Sequence, residues 1–360
     1  MKKIMLLLTA MSLFFISCSD DNTTNPDNKD YTIPETYSFD NVDYSGQTIR
    51  LEMVEEMDAV IQDAKNNGTP IDIQKLGMMI RNEGNPFSSN ELNESGKDIF
   101  SKLDLSKTSF FTNLINDMAA VNTTEVAENG KAGKVTSNDG KKSYLVNAQG
   151  WDYGEILEKG LMGALMLHQV VGYTSEEKIG NTVDNKTVTE GKGTPMQHHW
   201  DEAFGYFGAT KDFPKVTEGI SFVAKYANGR NGLIGLNDMI MKNGYLKGRA
   251  AINNNDHDAK WEAVKQIRKG WELTFVTTAI HYLNLAKENY TDDALRTHTL
   301  SECYAFLWSV QFNPEKNGNY YQEALDKLGE NFWTITIADI DATKEILVSG
   351  YNLGDIADDL

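Results

Sequence analysis

The chain is predicted to fold as an all-α protein, and three features of its 360 residues carry that prediction. From about residue 46 onward, apolar residues recur at steps of three and four, the period of a helix with one buried face. Glycine and asparagine clusters punctuate these runs and set their ends. The only cysteines are Cys18 and Cys303, so no disulfide framework exists and stability must come from a large packed core. No short-period repeat is visible, which argues against a regular solenoid. Residues 46–360 suit one large helical domain or two packed bundle-like halves.

Residues 1–17 open with Lys2 and Lys3 and continue through an apolar run from Ile4 to Ile16. That run is shorter than the roughly 20 residues a membrane-spanning helix needs, and it has the layout of a secretory signal. Ser17 and Cys18 end it in a pattern similar to a bacterial lipobox, in which the cysteine thiol receives the lipid anchor. Phe15 stands where that pattern usually has leucine. Ser19-Asp20-Asp21 resembles the acidic export signal of lipoproteins sent to the outer face of the outer membrane. Residues 18–45, polar and broken by Pro26 and Pro34, read as the lipidated cysteine and a flexible tether.

Gln47–Lys65 forms an amphipathic helix with Ile49, Met53, Met57 and Ile61 inward, stopped by Asn66-Asn67-Gly68. Residues 107–121 form a further helix, and residues 128–147 a loop or short hairpin. Residues 154–171 are apolar nearly all round, which places that helix in the middle of the packing. Residues 178–194 read as a second long loop. Weaker helices are expected at 214–227, 233–243, 319–328 and 337–349. The clearest stripe runs from Asp258 to Tyr290 through Trp261, Val264, Ile267, Trp271 and Phe275, a helix of about nine turns. Residues 292–312 repeat it, with Thr299, Cys303, Phe306 and Val310 on one face, so Cys303 reads as a small buried apolar residue.

The formal charge is −18, and removing residues 1–17 takes away two lysines and no acid. Such a surface repels nucleic acid and favours cations. No His-Glu-x-x-His, nucleophile elbow, phosphate loop or dinucleotide fingerprint is present.

The densest chemistry lies in "MQHHWDEAFGYFG", residues 196–208. Thr194 and Pro195 suit the N-cap and first turn of a helix. On it His199 and Glu202 stand three apart and His198 and Glu202 four apart, so either pair shares a face. An imidazole and a carboxylate one turn apart are good ligands for a transition metal, although a site needs further donors from other helices. The alternative is a helix with one histidine in solvent and the other bonded to Glu202. His298 and Glu302, four apart on a later helix, either complete a site with this pair or form an exposed or helix-bridging ion pair. His168 reads as a core histidine and His257 as solvent-exposed; His281 fits either side of the long helix. Glu155 and Glu158, at the start of the apolar central helix, are placed to reach a site at the junction of the two halves, but the helix dipole already explains carboxylates in a first turn.

His199-Trp200-Asp201-Glu202 followed by "AFGYFG" resembles the Gly-x-His-x-x-Glu signature of imelysin-like proteins. "SGQTIRLEM", "EKGLMGALMLHQVVGY" and "HTLSECYAFLWSVQF" are similar to a lipoprotein branch of that superfamily. Gln197 replaces the signature glycine. The resemblance implies an imelysin-like helical bundle fold of two halves, with His199 and Glu202 near their junction. It also implies a periplasmic or surface location and a link to metal uptake. The leading expectation is thus an outer-membrane lipoprotein on the cell surface that binds iron or zinc, with His199 and Glu202 as ligands and His198, His298 and Glu302 behind them. It would serve an outer-membrane metal transporter and bind no nucleic acid. Two alternatives stay open: a metal-dependent peptidase using Glu202, and a non-enzymatic glycan or peptide receptor using aromatics such as those of "FGYFG".

Overall fold

In the computed structural model, which describes residues 31–360, the chain enters its core before its first helix. Tyr37 is fully buried, its ring stacked 3.8 Å from that of Phe204 and its hydroxyl donating to Asp201 Oδ1 at 2.6 Å. The compact unit therefore starts at Thr32, not at residue 46. The correction has a physical cause: residues 32–44 carry three aromatics, of which Tyr37 and Tyr44 pack on Phe204 and Phe39 packs between Tyr37 and Arg249. The signal at residues 1–17, Cys18 and the first part of the tether lie outside the described residues.

Helix α1 spans Ser45–Asn67 with Met53, Met57 and Ile61 buried as the spacing predicts, and Ile49 half-buried. Gly68 ends it in the left-handed conformation at φ +66°, its N–H returning to the Ala64 carbonyl. Helix α2 (Ile73–Arg81) is capped by Asp72, and the short α3 (Asn90–Asn93) by Ser89. Helix α4 (Thr108–Asp117) follows. Of the loop and hairpin readings for residues 128–147, the hairpin holds: β1 (Gly133–Thr136) pairs antiparallel with β2 (Ser143–Val146), Gly133 opposite Val146.

The apolar stretch after residue 153 is one rod in three parts. Helix α5 (Tyr153–Leu161) passes through a π-helical segment, Met162–Leu167, into α6 (His168–Tyr173). Its small residues permit close approach: a Cβ on Gly163 would lie 2.5 Å from Ser309. After α7 (Glu176–Ile179) the long loop leads to α8 (Pro195–Gly205). Thr194 and Gln197 close a reciprocal capping box at its start. Helix α9 (Phe222–Ile234) begins later than the sequence suggests, because Gly219 at φ +72° cannot continue a right-handed helix. A second π-helical segment, Asp238–Leu246, runs into α10 (Lys247–Asn253).

Helix α11 (His257–Glu288) is the predicted long rod, with Val264, Ile267, Trp271, Phe275 and Ala279 buried. Helix α12 (Asp293–Ser309) packs along it and buries Cys303. Helices α13 (Tyr320–Leu328) and α14 (Ile337–Tyr351) close the chain. The fold is all-α apart from the hairpin. The main apolar cluster runs from Tyr37 to Leu360 within one compact unit, and a small second cluster gathers Ala127, Val135, Val146 and Ala294. Among the described residues no helix is long and apolar enough to cross a membrane.

Candidate metal centre

The richest polar cluster lies where α5 packs on α12. Close packing brings the helices together: Ser309 Oγ donates to the Lys159 carbonyl at 2.9 Å, and the Asp152 N–H donates to Ser301 Oγ at 2.8 Å. Asp152 also caps α5 by accepting from the Gly154 N–H at 3.1 Å. From this frame Asp152, Glu155 and Lys159 meet His298 and Glu302, which stand one turn apart on α12.

His298 Nδ1 lies 2.9 Å from Asp152 Oδ2 and 3.8 Å from Glu155 Oε1. Its Nε2 lies 3.7 Å from Glu302 Oε2. The imidazole is covered by Tyr144 of β2, stacked at 4.0 Å and 13°. Lys159 Nζ sits 2.5 Å from Glu155 Oε2, 2.6 Å from Glu158 Oε2 and 3.5 Å from Glu302 Oε1. Asp58 of α1 completes the surroundings: its Oδ1 and Asp152 Oδ1 lie 2.9 and 3.6 Å from the point where Gly154 would carry a Cβ.

Electrostatics in this cluster are strongly coupled. Burial lowers the His298 pKa, but the Asp152 hydrogen bond and the charges of Glu155, Asp152 and Glu302 reverse that and carry it to about 9. Burial raises the Glu155 carboxyl, yet Lys159 and then His298 outweigh it and hold it at about 2. Burial, reinforced by the neighbouring Glu155 charge, pushes Glu302 up to about 8. Burial also raises Asp152, against its bond to His298. Perturbed groups of opposite direction in one place are what a functional centre requires, and buried ion-pair networks share the property.

Asp152, Glu155 and His298 form the one group of three or more histidine, cysteine or acidic side chains among the described residues whose donor atoms all converge within 4.8 Å. The fit to a metal is chemical as well as geometric. Two donors each about 2.1 Å from one ion and at right angles are roughly 3 Å apart, and His298 Nδ1 and Asp152 Oδ2 are 2.9 Å apart.

Helix α8 places the other candidates elsewhere. His199 Nδ1 is 2.7 Å from the Lys178 carbonyl oxygen, and Glu202 Oε1 accepts from Gln47 Nε2 at 3.0 Å. Tyr173 also hydrogen-bonds Glu202, and its own pKa is raised by burial and by that carboxylate. His198 is half-buried, with Nδ1 lacking a hydrogen-bond partner. His298 and Glu302 share none of the partners of His199 and Glu202, so they do not complete a site with that pair; His298 bridges instead to Asp152 and Glu155 at the start of α5.

Asp201 points inward, not outward: it is fully buried, 2.8 Å from Arg249 Nε. Burial raises its pKa to about 6 against the pull of Arg249 and Tyr37. Gln197 is explained by its capping role and by a bond to Asn253 at 2.8 Å. Phe204, Tyr206 and Phe207 are wholly buried, which removes them as a receptor's contact surface. His168 is no core residue but sits part-exposed 3.6 Å from Asp104. His257 is half-buried beside Lys260 at 3.1 Å, and His281 is half-buried, where burial lowers its pKa.

Asp152 escaped sequence reasoning, and Glu155 was weighed but set aside, because a carboxylate at an N-cap or in a first turn has a sufficient local explanation. The usable signal was the pairing of two apolar helices that both carry acids near the start.

The sequence profile described as "Domain of unknown function (DUF4856)" matches residues 34–335. The chain belongs to the DUF4856 family. The match covers α1 to α13 and includes Asp152, Glu155, His199, Glu202, His298 and Glu302. Its start at residue 34 agrees with the buried Tyr37 as part of the DUF4856 domain. No curated protein and no solved structure matches the chain.

Proposed function

We propose that the protein is an outer-membrane lipoprotein that binds one transition-metal ion, iron before zinc, between Asp152, Glu155 and His298 in support of uptake. The observation that carries the reading is the convergence of one imidazole nitrogen and two carboxylate oxygens from α5 and α12. A mixed nitrogen and oxygen donor set suits first-row divalent ions, and the one cysteine among the described residues, Cys303, is buried and absent from the donor group. When bound, the ion would replace the proton between His298 and Asp152. Glu302 on the other side of the ring holds the imidazole, and Lys159 offsets the remaining charge.

The acidic composition and the lipobox-like pattern at Cys18 support the cellular side of the proposal, as does the resemblance to imelysin-like proteins. An all-α fold is what that resemblance implies. His199 and Glu202 are the alternative place for the ion: with Nδ1 engaged by a backbone carbonyl, His199 has the arrangement that fixes a ligating histidine. A binding role is preferred to catalysis, since a peptidase also needs a base poised at a metal-bound water.

Titration of chelator-treated protein with Fe(II), Mn(II) and Zn(II), followed by calorimetry, tests the reading. One site should be seen that is lost in His298→Ala and kept in His199→Ala. Loss in His199→Ala with retention in His298→Ala would move the site to α8.

A further inference from the structure

A cavity of about 730 Å³ opens between α11, the segment 315–318 and the end of α14, apart from the α5–α12 cluster. From its shape, its three lysines and the unpaired state of Lys269 we infer that it binds a small organic carboxylate. The volume is within the usual range for small-molecule sites.

The cavity is held open by a buried carboxylate. Glu272, 4 % exposed, accepts from Asn313 Nδ2 at 2.6 Å, from the Asn317 N–H at 2.8 Å and from the Tyr351 hydroxyl at 2.6 Å. It thereby ties a loop and the last turn of α14 to α11. With both oxygens engaged, Glu272 is spent as a ligand for a cation. Glu315, the other acid on the wall, is paired with Arg268.

The cations are placed differently. Lys265, Lys269 and Lys316 face the same cavity, Lys265 and Lys269 one turn apart on α11. Lys265 has a solvent-exposed pairing with Glu262, and Lys316 donates to the Asn313 carbonyl at 3.3 Å. Lys269 has no hydrogen bond or ion pair among the described residues. In a chain of charge −18, three lysines at a concave site, one of them unpaired, are the local exception to a surface that repels anions. Leu273 and the Tyr351 ring line the wall beside them. A ligand with a carboxylate at Lys269 and a hydrocarbon or ring portion against Leu273 satisfies both halves, the charge-assisted hydrogen bonds fixing its direction.

The test uses the full chain and calorimetric titration with benzoate, succinate and citrate, each against its neutral amide, in low and high salt. At least one carboxylate should bind, its amide should not, and 0.5 M salt should weaken the binding. Lys269→Glu should weaken it at least tenfold with an unchanged melting temperature, since the residue is exposed. Lys265→Glu should have a smaller effect in the same direction. The inference is overturned if none of the carboxylates binds, if an amide binds equally well, or if Lys269→Glu binds like the parent protein. None of these outcomes bears on the metal centre.

Discussion

His298 Nδ1 and Asp152 Oδ2 stand 2.9 Å apart although 146 residues separate them in the chain. The bond joins the cap of α5 to the first half of α12, so one proton links the start of a helix, the tilt of an imidazole and the charge of three neighbouring acids. Four predictions follow from this and from the packing around it.

Metal binding should release a proton from His298 and tighten with pH. With the imidazolium pKa near 9, affinity should rise about tenfold per pH unit from pH 6 towards 9. Calorimetry in buffers of different ionisation enthalpy counts the proton; a pH-independent affinity would show that the imidazole is not a ligand.

Stability without metal should fall at alkaline pH. His298 is raised from 6.5 to about 9, so its contribution is complete below 6.5 and is lost as pH rises through 9. Glu302, an acid raised from 4.5 to about 8, keeps its proton on folding, so its contribution too declines as pH climbs through that window. Glu155, depressed to about 2, acts on the other side: its contribution is present above 4.5 and disappears as pH falls through 2. The His298 part amounts to at most about 3 kcal/mol. Urea unfolding at pH 6 to 10 should show the decline, and His298→Gln should flatten its upper part.

Gly163→Ala should damage both fold and site without touching a ligand. The new methyl would lie 2.5 Å from Ser309 Cβ and 2.6 Å from its Cα, so the two helices must move apart. A cost of about 1–3 kcal/mol is expected from such overpacking, together with weaker metal binding. Gly172→Ala, where nothing lies within 4 Å of the added atom, is the matched control and should be near neutral.

Arg249→Met should be among the most destabilising single changes. It leaves the Asp201 carboxylate buried with only the Tyr37 hydroxyl as donor, at a cost of about 3–5 kcal/mol. Tyr37→Phe removes one neutral donor and should cost about 1–2 kcal/mol. Denaturant midpoints measure both, and equal effects would mean that the charge pair is not what holds the N-terminal segment.

Much of this fold was legible because its long helices obey one period. The stripe through Val264, Ile267 and Trp271 names the inward face of α11, and Asn66-Asn67-Gly68 marks where α1 stops. Short α2 was not read as a helix although Leu76, Met79 and Ile80 are all buried, because nine residues give the period little room to repeat. Buried Tyr37 could not be read, since its partners Asp201, Phe204 and Arg249 are over 160 residues away. The candidate site was legible in part. His298 and Glu302 announce themselves by helical spacing, whereas Asp152 and Glu155 join them only through a tertiary contact between two helices. The same contact order explains α8: the tight cluster in the sequence is split by the helix, with Asp201 turned into the core and His199 towards a backbone carbonyl.

The most direct measurement is an anomalous-difference map from crystals soaked in Mn(II) or Fe(II) at pH 8. The account predicts one strong peak within about 2.3 Å of His298 Nδ1, Asp152 Oδ2 and Glu155 Oε1. An empty α5–α12 cluster with a peak between His199 and Glu202, or no peak at either place, would contradict it.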